Sequence, residues 1–447
     1  MGHDETYPAQ EPSWAQRHRL GQIAGDVAAG INRPSHPAAT FRLRGPLDVQ
    51  ALERAWRRLQ LRHPVLRCGF DPDTGRWRLD RPAEPEPITM LSGAGSRGAG
   101  AADPARIVAD ASDAPFDLEH GPLARLLLLE TGDGFLFALV TDHLVSDLWS
   151  VNILMEDLTA CYRQELGEAV DLQPDDSAAF PVYVRDQNAY LASDAGRATL
   201  DRLAERLRAV GPIPELRFPG FTGAATAGYA NPGVFRATMP GDLVAGVTAG
   251  ARKTRMSKWS WIHAAVHRAL YELGDQDAIG TTLVTANRES FDVRRTVGFL
   301  SGRVVIATER SAASDAGTFL EHFNRAAIRA LDVSSSVPWG SIIERMTPDA
   351  FGGPSGVPYF SFNPQPLSLN RMFEEYGFAH CTSEPVPPPG LTLDAAVAVL
   401  PVEGPDGISV IAHHRVDWYP AEAVERLWET VERTLGAWAR ELGVHEQ

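Results

Sequence analysis

In the decapeptide TDHLVSDLWS, residues 141–150, one histidine and two aspartates fall within six positions. His143 carries the only side chain in this stretch whose unperturbed pKa, roughly 6.5, suits proton exchange near neutral pH. Asp147, four residues on, can fix the loop if it is buried against an arginine, since a buried carboxylate needs a partner to offset its lost hydration. The residue-level alternative is a structural one, in which His143 only hydrogen-bonds locally and Asp147 caps the following helix. Asp142, adjacent to His143, is expected to favour the protonated ring and raise its pKa. Other candidate groups are weaker. His263 and His267 have the spacing of a two-histidine metal site on a helix, yet no glutamate follows His263 and no third ligand is evident, so no metal is expected. His413 and His414 alternate across a strand and cannot face one site. PSGVP and TGDG lack the length and the lysine of a phosphate loop.

The elements that must position these residues are legible from periodicity. LARLLLLE (123–130) and FLFALVT (135–141), separated by TGDG, predict two buried strands joined by a hairpin turn. Val151, Leu154, Met155, Leu158 and Tyr162 then share one helical face, which puts the decapeptide on a strand-to-helix connection. FRLRG (41–45) predicts a strand, and Leu52, Ala55, Trp56 and Leu59 an amphipathic helix with Asp48 as its cap. RGAGAADPARIVADASDAP (97–115) predicts a loop with one short helix, and the acidic, turn-rich GEAVDLQPDDSAAFP (167–181) a link between two halves. Beyond it, Leu200, Leu203 and Leu207 mark one helix and Ile262, Val266, Ala269, Leu270 and Leu273 another. GRVVIAT, VPYFSF and ISVIAHHRV predict strands. Pro420 suits a first helical turn, and Val424, Leu427, Val431, Leu435 and Trp438 form the stripe of a final helix.

Length and composition bound the rest. A chain of 447 residues with 44% hydrophobic and 22% charged residues is expected to be globular, with two packed units. Lys and Arg total 42 against 57 for Asp and Glu, a net charge of −15, which argues against a wide basic face for nucleic acid. Cys68, Cys161 and Cys381 are odd in number and far apart, unlike a disulfide framework or zinc site. With no secretory leader and no bilayer-length apolar run, a cytoplasmic protein without membrane attachment is expected.

PSWAQRHRL (12–20), LQLRHPVLRCGFD (59–71), DLEHGPLARLLLLE (117–130), TDHLVSDLWS, TANRES (285–290) and TVGFLSGRVVI (296–306) occur in the order and spacing that resemble condensation domains of nonribosomal peptide synthetases. The resemblance runs from about Pro12 to Leu435. It implies an α+β fold of two chloramphenicol acetyltransferase-like subdomains in a V-shaped pseudo-dimer, 1–175 and 176–447. His143 would lie at the joint, reached by tunnels from opposite faces. A segment of the second half would cross to the first, most of it in TANRESFDVRRTVGFL. The family pattern is His-His-x-x-x-Asp-Gly. By position, Asp142 stands for the first histidine, His143 for the second, catalytic one, Asp147 for the aspartate and Leu148 for the glycine. Leu148 is expected either to leave an ordinary backbone or to mark an altered loop, and to narrow the passage beside His143. Trp149 and Ser150 match the usual sequel of the motif, and the resemblance implies that with Leu148 they border the substrate tunnel, core packing being the alternative for Trp149. Arg288 and Arg67 both fall where the family has arginines near the motif aspartate, and either could pair with Asp147. Gly302 replaces the family's usual asparagine.

The resemblance implies a free-standing condensation enzyme, an acyltransferase that moves an acyl or aminoacyl group from a carrier-protein phosphopantetheine thioester to an amine or alcohol acceptor. Transfer would be direct, since no activated serine or cysteine accompanies the motif. The partners would be an acyl or peptidyl carrier protein and a small-molecule nucleophile. The protein would be monomeric, with no cofactor of its own, because phosphopantetheine comes with the carrier. The arginines 54, 57, 58 and 62 are either a docking patch for that carrier or a solvated helix face. Three other readings stand beside this one: a non-catalytic docking module that recruits a tailoring enzyme, motivated by positions 142 and 148; epimerisation; and coenzyme A-dependent O-acyl transfer.

Overall fold

A computed structural model describes residues 8–28, 30, 36–92, 103–174, 179–223, 232–288, 293–312, 315–348, 357–364, 377–386, 395–404 and 407–444. They divide into two compact α+β units. The first takes residues 1–190, 288–301 and 369–389, and the second takes 191–287, 302–368 and 390–447. The first unit thus continues past the boundary at 175 expected from the sequence. The acidic link leads into a helix that packs with what precedes it, and two later segments return to the first unit.

The chain opens with α1 (Trp14–Ala28), β1 (Ala38–Arg44) and α2 (Val49–Arg62), then β2 (Thr89–Leu91) and α3 (Pro104–Ser112). The hairpin β3 (Ala124–Thr131) and β4 (Gly134–Thr141) follows, then α4 (Leu148–Glu165) and α5 (Ala179–Ala192). The hairpin turns on Gly132 and Asp133, with Thr131 opposite Gly134 and Ala124 opposite Thr141. Gly134 has a φ of 147°, and a Cβ there would lie 2.0 Å from the carbonyl oxygen of Leu43 on β1, so only glycine lets the strands close at this point. Asp48 caps α2 as its sequence position predicts, accepting a hydrogen bond from the Ala51 amide at 2.9 Å.

The apolar run of β3 does not alternate because both faces of its sheet are covered. Leu126, Leu128, Phe137 and Leu139 face a core built with Leu52, Trp56, Leu59, Leu154 and Leu158 of α2 and α4. Leu127, Leu129, Leu136 and Ala138 face Val108 of α3. Burying each such side chain contributes about 1.5–3 kcal/mol. The arginines of α2 also knit it to α4. Arg54 and Arg58 reach Glu165 at 2.8 and 2.9 Å, and Arg62 reaches Asp157 at 2.8 Å. Arg54 and Arg58 stay 54% and 41% exposed in these pairs, so they tie α2 to α4 while remaining on its solvated face.

The second unit contains α6 (Asp194–Arg206), β5 (Gly233–Thr238), α7 (Gly241–Thr254), α8 (Lys258–Leu273), β6 (Ala278–Thr285) and β7 (Gly302–Glu309). It continues through α9 (Ala316–Leu331), α10 (Trp339–Met346) and β8 (Phe360–Phe362). The chain then supplies β9 (Thr382–Pro385) to the first unit, and returns for β10 (Val397–Gly404), β11 (Gly407–His414) and α12 (Ala421–Glu441). Among the described residues the first sheet runs β2-β3-β4-β1-β9 and the second β5-β11-β10-β8-β6-β7. In the second core the stripes of α8 and α12, including Ile262, Val266, Leu270, Val431, Leu435 and Trp438, meet Phe360, Phe362 and Val410 of the sheet. His263 and His267 lie inside this unit, where both rings bond the Thr281 hydroxyl, at 2.6 and 2.7 Å, and His267 also bonds Thr308 at 2.8 Å. Burial pushes the His267 imidazole down to about 3. No described helix is long and apolar enough to cross a membrane.

Candidate active site

His143 stands two residues beyond the end of β4, in a loop held from several sides. The Asp142 amide donates to Leu123 at 2.8 Å and the Val145 amide to Asp142 at 3.2 Å. The Asp142 carboxylate accepts the Leu144 amide at 2.8 Å, and the hydroxyls of Thr141 and Ser146 bond each other. A distant element also grips the loop. Ser13 and Gln16 cap the start of α1 reciprocally, the Gln16 amide donating to the Ser13 hydroxyl at 3.1 Å and the Ser13 amide to Gln16 Oε1 at 2.8 Å. Gln16 Nε2 then donates to the Leu144 carbonyl at 2.8 Å. The PSWAQRHRL segment therefore acts on the motif loop through Gln16, a contact 128 positions apart in the chain that no local pattern discloses.

The imidazole orientation follows from one bond. His143 Nδ1 lies 2.7 Å from the carbonyl oxygen of Ser146. A carbonyl only accepts, so Nδ1 carries the proton and Nε2 keeps its lone pair. Phe299 lies against the ring, with centroids 4.1 Å apart and planes inclined by 37°. The residue is half-buried. Burial lowers its pKa, against the Ser146 carbonyl and the charges of Asp147 and Asp142, which act to raise it. This direction is opposite to the one Asp142 alone implies, because desolvation outweighs its charge and the Asp142 carboxylate is turned back onto the Leu144 amide. The other oxygen of Asp142 lies 3.6 Å from His36 Nε2, whose Nδ1 donates to the Ser112 carbonyl at 2.9 Å.

Asp147 holds the loop to the segment that returns from the second half. It is the N-cap of α4, with Oδ1 accepting the Ser150 amide and hydroxyl, each at 2.8 Å. The Arg288 guanidinium grips it with two bonds of 2.9 Å, and Oδ2 also accepts the amides of Leu300 at 3.1 Å and Ser301 at 2.8 Å. Burial by itself would raise this carboxyl, but the Arg288 charge and the convergent donors hold it below its ordinary value. The capping and ion-pair roles weighed as alternatives in the sequence are therefore both performed by Asp147. Arg67 is not the partner. It is buried elsewhere in the unit, donating to the carbonyls of Gln60 at 3.0 Å and Ala83 at 2.6 Å.

Trp149 Nε1 donates to the Arg294 carbonyl at 3.1 Å. Contrary to expectation, Ser150 is not a tunnel residue: it is fully buried, and its Oγ lies 2.8 Å from both Asp147 Oδ1 and the Gly298 carbonyl, because it closes the cap of α4. Arg295 reaches Glu156 and Asp157 of α4 at 2.6 and 3.0 Å. Residues 293–301 are thus pinned along α4, which is how Phe299 comes to face His143. Residues 289–292 of the expected crossing segment lie outside the described residues.

A condensation domain family model matches residues 33–388 of the sequence, well over half of it. The chain belongs to the condensation domain family. Among curated relatives, a component of the linear gramicidin synthase of Brevibacillus parabrevis is 23% identical over 402 residues, 86% of this chain but 5% of that protein. A component of the plipastatin synthase of Bacillus subtilis (strain 168) is 25% identical over 76% of this chain and 9% of that protein. This condensation domain spans only a small part of those relatives. Among solved structures, the X-domain from teicoplanin biosynthesis, in complex with OxyB, superposes with a TM-score of 0.77 at 18% identity, covering 100% of this chain and 96% of that one. The first condensation domain of the calcium-dependent antibiotic synthetase, in complex with a substrate analogue, gives 0.70 at 18% identity, covering 97% of each chain. These likenesses establish the α+β fold of condensation domains.

Within this condensation domain the departures from the family pattern have local explanations. Leu148 is the first residue of α4, is not among the non-glycine residues with positive φ, and is 38% exposed. Of the two expectations for this position, the ordinary backbone is the one found, because Asp147 starts the helix. At Gly302 a Cβ would lie 2.8 Å from Nδ2 of Asn287, so the glycine leaves space that the Asn287 carboxamide occupies. The carboxamide missing at position 302 is present beside it on a different residue.

Proposed function

We propose that this condensation domain transfers an acyl or aminoacyl group from a carrier protein's phosphopantetheine thioester to an amine or hydroxyl, with His143 Nε2 as the base. The observation that carries this reading is the bond from Nδ1 to the Ser146 carbonyl. It leaves the second nitrogen as the acceptor on a ring that burial keeps neutral near pH 7. In the step, the nucleophile's nitrogen or oxygen bonds the thioester carbon as its proton passes to Nε2. Collapse of the tetrahedral species breaks the C–S bond, and the proton leaves with the sulfur. General bases of this kind contribute about 10²–10⁴-fold. Phosphopantetheine arrives as the partner's substrate arm, and the domain supplies no cofactor.

The supporting test mixes acyl-loaded carrier proteins and candidate nucleophiles with the protein and follows the carrier by intact mass spectrometry. His143→Ala is expected to slow acyl loss at least ~100-fold with the fold intact. Turnover of the alanine variant at the wild-type rate would remove the base assignment. A second reading is favoured by Asp142 in place of the motif histidine and by the likeness to an X-domain solved with OxyB: a docking module without turnover. It is supported instead if the wild type leaves every loaded carrier intact yet binds a carrier or an oxygenase.

A further inference from the structure

Helix α9 has two working faces. Ala316, Phe319, Leu320, Phe323 and Ala327 enter the core of the second unit. His322, Arg325, Ala326, Arg329 and Ala330 recur at i, i+3, i+4, i+7 and i+8, which makes a second stripe on the same helix. This stripe would be expected to face open solvent. Instead it lines a cleft of about 380 Å³ against β7, the edge strand of the second sheet. That volume is within the ~300–1,000 Å³ range typical of small-molecule sites.

The walls and the rim differ in chemistry. Two alanines on α9 keep the helix side shallow, and Leu207, Val305, Val337 and Ile342 make the opposite side apolar. The rim bears Arg206, Arg325, Arg329 and His322 against one lining carboxylate, Glu309. Arg325 lies 3.6 Å from Glu321 in an exposed pair, while Arg206 and Arg329 have no ion-pair partner among the described residues. In a chain of net charge −15 this local excess of cations is against the general trend. Within a Debye length of about 8 Å the near arginines, not the net charge, set the local potential.

We infer that this cleft binds a small amphipathic carboxylate, its hydrocarbon tail between α9 and the apolar wall and its carboxylate at the Arg206–Arg329 rim. The lining residues all belong to the second unit, and occupation of the cleft does not depend on the reaction proposed above. Arginine is the residue suited to such a head group, since its planar donors match a carboxylate's two oxygens. Each methylene buried raises affinity by about three- to fourfold, so affinity should climb with tail length until the cleft is filled.

The test is isothermal titration of the full chain with octanoate and decanoate, and with decan-1-ol and decyltrimethylammonium as neutral and cationic probes, all below their micellar range. Saturable binding of decanoate is expected, tighter than octanoate and at least about tenfold tighter than either control. Arg206→Glu combined with Arg329→Glu should weaken decanoate on the order of tenfold or more, and Ala326→Trp should abolish its binding by filling the cleft. Both arginines are exposed, so the double reversal should leave the circular dichroism and melting temperature unchanged even if the tryptophan variant fails to fold. Equal binding of the three decyl probes, decanoate binding indifferent to the charge reversals, or no saturable binding up to ~1 mM would each overturn the proposal.

Discussion

A histidine that serves as a base must be neutral, aimed and reachable, and three different contacts supply these conditions for His143. Burial lowers its pKa, the Ser146 carbonyl settles its tautomer, and the residue as a whole is half-buried, its ring against Phe299. A pH dependence follows with a definite sign. Because the folded pKa lies below the unfolded value near 6.5, the ring is in its base form at neutral pH, and kcat/KM should fall only as pH drops through a midpoint under about 6.5. Measured with an alcohol acceptor, which does not titrate in this range as an amine would, an acid limb centred above 7 would show that the Asp142 charge dominates after all. The same shift affects folding. Above about 6.5 the ring is neutral in both states and has no effect on the pH dependence; as pH falls from there toward the folded pKa, the unfolded chain takes up the proton first and stability is lost. The tautomer was not legible from residue types, because it depends on which carbonyl the turn of 143–146 presents to Nδ1. The candidate histidine itself was legible, since a histidine immediately after a buried strand and before a helix stands where folds expose reactive groups.

At the scale of elements, the site is a junction between β4, α4 and residues 293–301. Arg288 is the chief clamp, and its removal would leave Asp147 buried against Leu300 and Ser301 without its counter-charge. Arg288→Ala is therefore expected to lower unfolding free energy by about 3–5 kcal/mol in urea titration, and Arg288→Lys by less, since lysine restores charge without the two-pronged geometry. A loss under about 1 kcal/mol for the alanine variant would mean that the amides alone satisfy Asp147. The helices α2, α4, α8 and α12 were readable because each buries a stripe with helical period, and the β3–β4 hairpin because two apolar runs flank a glycine-rich turn. β9 was not readable. Its residues, TSEP, are short and polar, and they form a strand only because the open edge of β1 lies beside them, with Phe41 opposite Pro385 and Leu43 opposite Ser383.

For the whole molecule, the first unit is discontinuous. Residues 1–190 by themselves lack Arg288, the partner of Asp147, and β9, the edge of the sheet. A fragment ending at 190 is expected to show no cooperative thermal transition by circular dichroism, whereas the full chain does. A sharp transition in the fragment would show that the returning segments are dispensable for folding. What the sequence determined by itself was the set of local elements, the position of His143 between a strand and a helix, and the family whose motifs it carries. Those follow from periodicities and spacings that act within a few turns of chain. The tertiary structure alone decided that Arg288 and not Arg67 meets Asp147, that Gln16 holds the Leu144 carbonyl, and that the second face of α9 borders a cleft. Each of these depends on which groups, far apart in sequence, become neighbours when the cores close, and residue type and spacing carry no record of that.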